Sequence, residues 1–433
     1  MKLYSTNNSQ NTINFRDAVI KGIADDGGLY MPAELPELPE SFFRNIHGMD
    51  LAEIAVEVSN HLLKDEINEQ DIEIIVKSAI NFPAPLIQLK DGPGIVELFH
   101  GPTLAFKDFG ARYMSRMLSY FRRNETRDLV ILVATSGDTG SAVAHGFYNV
   151  EGIRVVLLYP SGKVSNIQEK QLTTLGGNIS ALEIEGTFDD CQRLVKQAFA
   201  DKELSQKREL SSANSINIGR LIPQSFYYFG AFAQLDDGEK AFIISVPSGN
   251  FGNLTAGLFA WKMGLPVSRF IAATNSNDIF PKFLETGRYD PKPSQQTLSN
   301  AMDVGNPSNF ARIKALFGGS TEKIKEIISG YAFNDDETKN AIKEVNNLFD
   351  YVIDPHGAVG YLALKRFAKN DLNSYNSVIL ETAHPSKFTE TVKSVLEKEI
   401  EMPDSLKDCL SKEKNALRLS ADYDDLRSYL FTF

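Results

Sequence analysis

Short apolar runs alternating with amphipathic stretches set the layout of most of the chain. Leu129-Val-Ile-Leu-Val-Ala134 has no polar position, as in a strand buried on both faces, and a helix is expected over 139 to 148. Arg154 to Tyr159 and Asn166 to Leu175 repeat the strand-then-helix unit, as do Ile179 to Ile184 and Asp189 to Ala200. A second set follows in Phe242 to Pro247, a helix from Leu254 to Met263, and Phe270 to Thr274. Ser377 to Thr382 is expected to close the sheet, with a helix from Lys387. Such alternation predicts parallel sheets with crossover helices, arranged as two α/β lobes.

The first 90 residues read differently, as a helical cap with a polar, turn-rich entry. Asn14 to Gly22 is a short amphipathic helix ended by glycine, followed by the turn Asp25-Asp-Gly-Gly28 and a proline-rich stretch from Pro32 to Pro39. Helices are expected over Asp50 to Leu63 and Asn68 to Ile80, and Pro83 and Pro85 mark a boundary near 85. Tyr289 to Phe310 reads as a long surface loop, with helices after it at Ser308 to Leu316, Thr321 to Ile328 and Glu337 to Phe349.

A chain of 433 residues exceeds one ordinary core, so several domains and a cleft between them are expected. Its hydrophobic and charged fractions, 42% and 23%, are those of a globular protein. A net charge of −11 argues against general affinity for nucleic acid or anionic membrane and points to a small-molecule partner. Cys191 and Cys409 are the only cysteines and stand far apart, which indicates neither a disulfide framework nor a metal site and fits a reducing compartment. The opening residues lack the pattern of a secretory or transit segment, and no apolar run approaches a membrane span, so a cytoplasmic location is expected.

Within this frame, His100-Gly-Pro-Thr-Leu-Ala-Phe-Lys107-Asp-Phe-Gly110 places one lysine among Leu104, Phe106 and Phe109. Partial desolvation disfavours the ammonium form and leaves the amine able to condense with an aldehyde. Ser248-Gly-Asn-Phe-Gly252 lies between a strand and a helix, where glycines, inward N–H groups and the helix dipole suit a phosphate. Neither nucleotide-binding glycine spacing occurs there. Thr135-Ser-Gly-Asp-Thr-Gly140 occupies the equivalent junction in the first lobe and suits a carboxylate or phosphate, although capping alone would also explain its Ser, Asp and Thr. A pocket lysine and two such loops describe an aldehyde-and-phosphate cofactor, pyridoxal 5'-phosphate, better than a nucleotide.

The sequence resembles the threonine synthase family of bacteria and fungi from end to end. The matching pieces are Glu97 to Phe109, Ala134 to Gly140, Ser212-Ala-Asn-Ser-Ile-Asn217, Pro247 to Gly252, Thr297-Leu-Ser-Asn-Ala-Met-Asp303 and Thr382-Ala-His-Pro-Ser-Lys-Phe388, with the entry segment Ile23 to Pro32. The resemblance implies a tryptophan-synthase-β-like α/β fold of the pyridoxal-phosphate type II class. It divides the chain into a mainly helical N-terminal domain (1 to 90), a small α/β domain carrying the lysine (91 to 225) and a large α/β domain carrying the phosphate loop (226 to 433).

It further implies that Lys107 holds the cofactor and later carries protons, that Ser248, Gly249, Asn250, Phe251 and Gly252 cradle its phosphate, and that Thr382 faces its ring nitrogen. The substrate implied is O-phospho-L-homoserine, converted with water to L-threonine and phosphate by β,γ-elimination and hydration, with no metal. Ser136 and Thr139 are then candidates for the substrate carboxylate, and Asn214, Ser215, Asn217 and Arg220, with Lys163 and Arg112, for its phosphate. Asp138 stands where some relatives carry asparagine. An ionised carboxylate cannot donate to a phenolate oxygen, so helix capping is its expected role. His356 and His384 are expected to be packed histidines rather than proton carriers. A monomer is expected. Two other readings remain open: a phospholyase of the same fold that releases an oxo acid and ammonia, and a non-enzymatic amino-acid or anion binding protein.

Overall fold

Three sheets organise the computed structural model, which describes the whole chain except Ser136, residues 236 to 239, Asn370, Phe433 and the side chain of Asn373. The smaller lobe is a five-stranded parallel sheet in the order Leu417–Ser420, Ile179–Glu185, Ile153–Pro160, Leu129–Ala134 and Glu209–Ser211. All six residues of Leu129–Ala134 are buried, as their unbroken apolar pattern requires. The larger lobe has six strands in the order Ile328–Ala332, Val267–Thr274, Phe242–Pro247, Asn376–Glu381, Gly94–Glu97 and Leu86–Gln88. Only the last runs antiparallel to its neighbour. Parallel strands end at one level, so the loops after Leu129–Ala134, Phe242–Pro247 and Asn376–Glu381 gather candidate chemistry at strand carboxyl ends.

Three expectations need correction. The strand near the end of the chain, Asn376–Glu381, does not close the sheet but lies inside it, between Phe242–Pro247 and Gly94–Glu97. The sheets also cut across the divisions at 90 and 225: Leu86–Gln88 and Gly94–Glu97 belong to the larger lobe's sheet, and Leu417–Ser420 returns to the smaller one. The mainly helical N-terminal region also holds an antiparallel sheet of Asn8–Asn14, Lys2–Ser5 and Tyr30–Pro32, whose last strand follows the helix Phe15–Lys21. The strand Asn-Ser-Gln-Asn-Thr-Ile-Asn is almost wholly exposed and carries no apolar alternation to betray it.

The N-terminal helices start where their caps dictate. Asn14 caps Phe15–Lys21, Asn68 caps Glu69–Ala79, and Asp50 with Glu53 forms a capping box on Leu51–Leu63. Phe15–Lys21 and Glu69–Ala79 pack against Lys107–Phe121, which buries Phe109, Tyr113, Met114, Met117 and Leu118 and whose Tyr113 hydroxyl meets Ser59 of Leu51–Leu63 at 3.2 Å. The helix that begins at Lys107 is therefore anchored along its length.

Arg312 joins parts distant in sequence. Its fully buried guanidinium donates from Nε to the Tyr30 carbonyl (2.9 Å), from Nη1 to Asn309 Oδ1 (2.7 Å) and from Nη2 to the Ile216 carbonyl (2.7 Å). Burial pulls its pKa down to about 9. Arg312→Met would relieve the desolvated charge but strand two buried acceptors and one part-buried one, each worth about 1 kcal/mol or more. Urea unfolding is expected to show a net loss of about 2–3 kcal/mol with an unchanged denaturant slope. A loss below about 0.5 kcal/mol would show that these bonds are not structural.

Candidate active site

Backbone hydrogen bonds fix Lys107. The segment before it is laced to the end of a strand some 280 residues later: Leu98 N–H donates to Glu381 O (2.9 Å), Phe106 N–H to Thr382 O (2.9 Å) and His384 N–H to Leu104 O (3.1 Å). Between them Ala105 bridges Ala383, and Leu104 is forced to φ 58°, a left-handed conformation unfavourable for a branched residue. Asp108 secures the same turn, accepting from the N–H (2.9 Å) and hydroxyl (2.7 Å) of Thr103, and burial raises its pKa to about 6.

The Lys107 side chain is 16% exposed, and its amine lies 3.6 Å from Asp138 Oδ2 and 5.7 Å from the Phe106 ring centroid. Burial lowers its pKa, with Lys387 and Arg220 adding to the effect and Asp138 opposing it. The lysine is thus desolvated, as its local sequence leads one to expect.

Asp138 does not cap. It is the first residue of the helix Asp138–Phe147, whose start has no side-chain cap, and its Oδ1 accepts from Lys387 Nζ (2.7 Å) and Gln168 Nε2 (3.0 Å). Burial alone would raise its pKa, but Lys387, Lys107 and Gln168 together hold it far below the usual carboxylate range. Thr135 organises this turn instead, its hydroxyl oxygen accepting from Gly137 N–H (3.0 Å) and Gly140 N–H (2.9 Å). Thr139 is half-buried, and Ser136 lies outside the described residues.

The 248 to 252 loop has the form of an anion cradle. Phe251 adopts φ 56° and starts the helix Gly252–Lys262, which begins two residues before the expected position. The Ser248 hydroxyl is 2.5 Å from Asn253 Oδ1, whose Nδ2 holds the Pro247 carbonyl. Asn250 donates to Ser215 Oγ (2.6 Å) and accepts from Ser308 N–H. A Cβ on Gly249 would stand 2.6 Å from the Met302 backbone. None of the N–H groups from Gly249 to Asn253 has an acceptor among the described residues. Thr382, at the end of Asn376–Glu381, is buried, and its hydroxyl likewise has no described partner. Unspent N–H groups at a helix start, a depressed lysine and a free hydroxyl are what pyridoxal 5'-phosphate requires, so the residues fit the cofactor.

The predicted substrate residues divide. Arg220 is buried, donates to Ala213 O (2.7 Å) and lies 3.5 Å from Lys107 O, while its Nε has no partner. Burial pulls its pKa down to about 10, partly offset by Asp108. A buried guanidinium without an ion pair among the described residues is suited to an incoming anion. Ser215 touches the phosphate loop through Asn250, and Asn214 is half-buried beside it.

Other candidates are spent elsewhere. Asn217 caps Gly219 and donates to Val19 O and Ser212 O, and Arg112 donates to Ser78 O, Ala79 O and Asn81 Oδ1 at the end of an N-terminal helix. Lys163 is exposed in the turn after Ile153–Pro160. Both histidines are packed as expected: His356 lies between Asp354 (2.5 Å) and Ala301 N–H (3.2 Å), and His384 Nδ1 caps Ser386. Sequence reasoning assigned no role to Lys387, Gln168, Asn309 or Arg312. Lys387 falls inside a recognised motif, but nothing local signals that its amine reaches Asp138.

Three family models match: the N terminus of threonine synthase over residues 2–80, the pyridoxal-phosphate dependent enzymes over 88–382, and the C-terminal part of threonine synthase over 357–430. Threonine synthase of Escherichia coli K12 is 45% identical over 99% of both chains. The crystal structure of an Escherichia coli threonine synthase, 44% identical, superimposes over 100% of both chains with a TM-score of 0.91. A threonine synthase from Brucella melitensis with bound pyridoxal phosphate, 35% identical, covers 99% of this chain and 98% of its own with a TM-score of 0.93.

Gly249→Val should disturb the cradle selectively, because its side chain must displace the Asn300–Met302 turn. Its dissociation constant for pyridoxal phosphate, followed by absorbance, is expected to rise at least about tenfold with secondary structure retained. Unchanged affinity would remove this loop from the cofactor site.

Proposed function

This chain belongs to the threonine synthase family, and we propose that Lys107, the 248 to 252 loop, Thr382 and Arg220 are the parts that carry out its reaction. It is a pyridoxal-phosphate-dependent carbon–oxygen lyase of threonine biosynthesis that converts O-phospho-L-homoserine and water to L-threonine and phosphate. The observation carrying the assignment of parts is the pairing of a pKa-depressed Lys107 with the buried, unpaired Arg220 guanidinium beside it.

When bound, pyridoxal phosphate supplies the electron sink that makes protons next to the substrate's amine-bearing carbon acidic. The unspent N–H groups from Gly249 to Asn253 would hold its phosphate, and the neutral, buried Thr382 hydroxyl would partner its ring nitrogen without forcing that nitrogen to stay protonated. Lys107 Nζ would hold its aldehyde carbon and, when free, would accept the proton from the substrate's Cα and carry protons between substrate carbons. Thr139, the Asp138–Phe147 helix start and Ser136 receive the substrate carboxylate. Arg220, with Asn214 and Ser215, holds the phosphate at Cγ and stabilises it as the C–O bond breaks. Loss of a Cβ proton would accompany departure of the phosphate; a proton would then return to Cγ, the hydroxyl of water would add at Cβ, and a proton would return to Cα. The structural duties of Asn217 and Arg112 support placing them behind this pocket rather than in it.

A cytoplasmic monomer completes the reading. Cys191 and Cys409 are free and buried, which suits a reducing compartment. The exposed large apolar residues among those described, Ile23, Ile74, Ile87, Tyr148, Leu348 and Leu417, are scattered along the chain, no two on the same helix or strand. No described helix is long and apolar enough to cross a membrane.

Incubation with O-phospho-L-homoserine should give L-threonine and phosphate in equal amounts, and dominance of 2-oxobutyrate with ammonia would assign a phospholyase instead. Arg220→Ala is expected to lower kcat/KM by about 100-fold or more, and Lys163→Ala by less than about threefold. Equal effects would remove Arg220 from the leaving-group pocket.

A further inference from the structure

Asp138 is shared by two lysines, only one of which the reaction uses. Lys387 sits in the turn Pro385–Phe388, five residues after Thr382, with its side chain fully buried. Its amine donates to Asp138 Oδ1 (2.7 Å) and to the Thr103 carbonyl (2.9 Å). Lys107 has only Asp138 Oδ2 at 3.6 Å, beyond hydrogen-bond distance, and some exposure. The drier and doubly bonded cation therefore has first claim on the carboxylate.

We propose that Lys387 is a positioning residue that serves as the permanent counterion of Asp138, so that Lys107 can shed its proton beside a carboxylate that would otherwise hold it charged. A lone buried aspartate next to Lys107 would stabilise the ammonium and oppose both cofactor attachment and proton abstraction. With Lys387 in place, the Lys107–Asp138–Lys387 group carries one surplus positive charge, and losing the Lys107 proton relieves it. Gln168 Nε2 keeps the carboxylate oriented as that proton comes and goes.

The other charged and titratable groups around the two amines do not take over this role. Arg220, from the helix Ile218–Leu221, adds to the positive field on Lys107. Asp108, on Lys107's own helix, is bonded to Thr103, and burial lifts its pKa to about 6. His145 and His384 also face Lys387. Burial lowers the pKa of both, His145 to about 4, so neither supplies positive charge at neutral pH.

This inference rests on Lys107 as the reacting amine, and its test is read without cofactor or substrate. The full-length protein, stripped of cofactor, is treated with trace acetic anhydride across a pH series, and acetylation of the Lys107 peptide is followed by mass spectrometry. The wild-type midpoint is expected at least about one unit below that of free lysine, near 10.4. Lys387→Met should raise it by about one unit or more, and Lys387→Arg, which keeps the charge, should restore it to within a few tenths.

A Lys387→Met protein with native circular dichroism and an unmoved midpoint overturns the proposal, as does a wild-type midpoint at or above that of free lysine. If Lys387→Met does not fold, Lys387→Gln, which retains a donor, carries the same prediction. Should Lys107 prove not to bind the cofactor, these midpoints would still report on the charge arrangement, so the two claims fail separately.

Discussion

The lacing of residues 98 to 106 onto residues 381 to 384 is the constraint on which the site depends. Three backbone hydrogen bonds and the Ala105–Ala383 bridge bring together two stretches almost 280 positions apart. One stretch delivers Lys107, and the other delivers Thr382 and Lys387. Because Gly94–Glu97 and Asn376–Glu381 are adjacent parallel strands, the lacing continues the sheet beyond its edge residues. The left-handed Leu104 is the strain this geometry imposes, and the anchored helix behind Lys107 over-determines it.

A second set of contacts ties the 248 to 252 loop to the segment around Ser215 and Ile216. Asn250 bonds Ser215, and Asn309 reaches the carbonyls of both Asn250 and Ser215. Arg312 orients Asn309 while holding Ile216 and the N-terminal Tyr30. The proposed cofactor and leaving-group sites thereby share one polar network rather than independent loops. Arg312 and Asn309 are buried, Asn250 and Ser215 half-buried, and all four are bonded, so a disturbance at one position is expected to reach the other.

Much of this was legible in the sequence where the physical signal was local. The unbroken apolar run at 129 to 134 could only be a buried strand, and Ser248-Gly-Asn-Phe-Gly252 announced its strand-to-helix turn by composition. The apolar neighbours of Lys107 foretold its depressed pKa. What stayed hidden was long-range or patternless. Asn8–Asn14 is a strand made of polar residues, and Leu417–Ser420 shows nothing of its return to the smaller lobe. Asp138 at the first position of a helix looked like a cap, because its true partners, Lys387 and Gln168, are distant in sequence. Arg112 and Asn217 have the right chemistry for a phosphate, but their hydrogen bonds go to backbone carbonyls.

The central claim is that this geometry makes Lys107 the amine that holds the cofactor, even though a second buried lysine lies across Asp138. Borohydride reduction of the pyridoxal-phosphate-loaded protein, followed by digestion and peptide mass mapping, tests it directly. The cofactor-derived mass is expected on Lys107 alone. Finding it on Lys387, or on any other lysine with Lys107 unmodified, would remove Lys107 from the role of cofactor anchor.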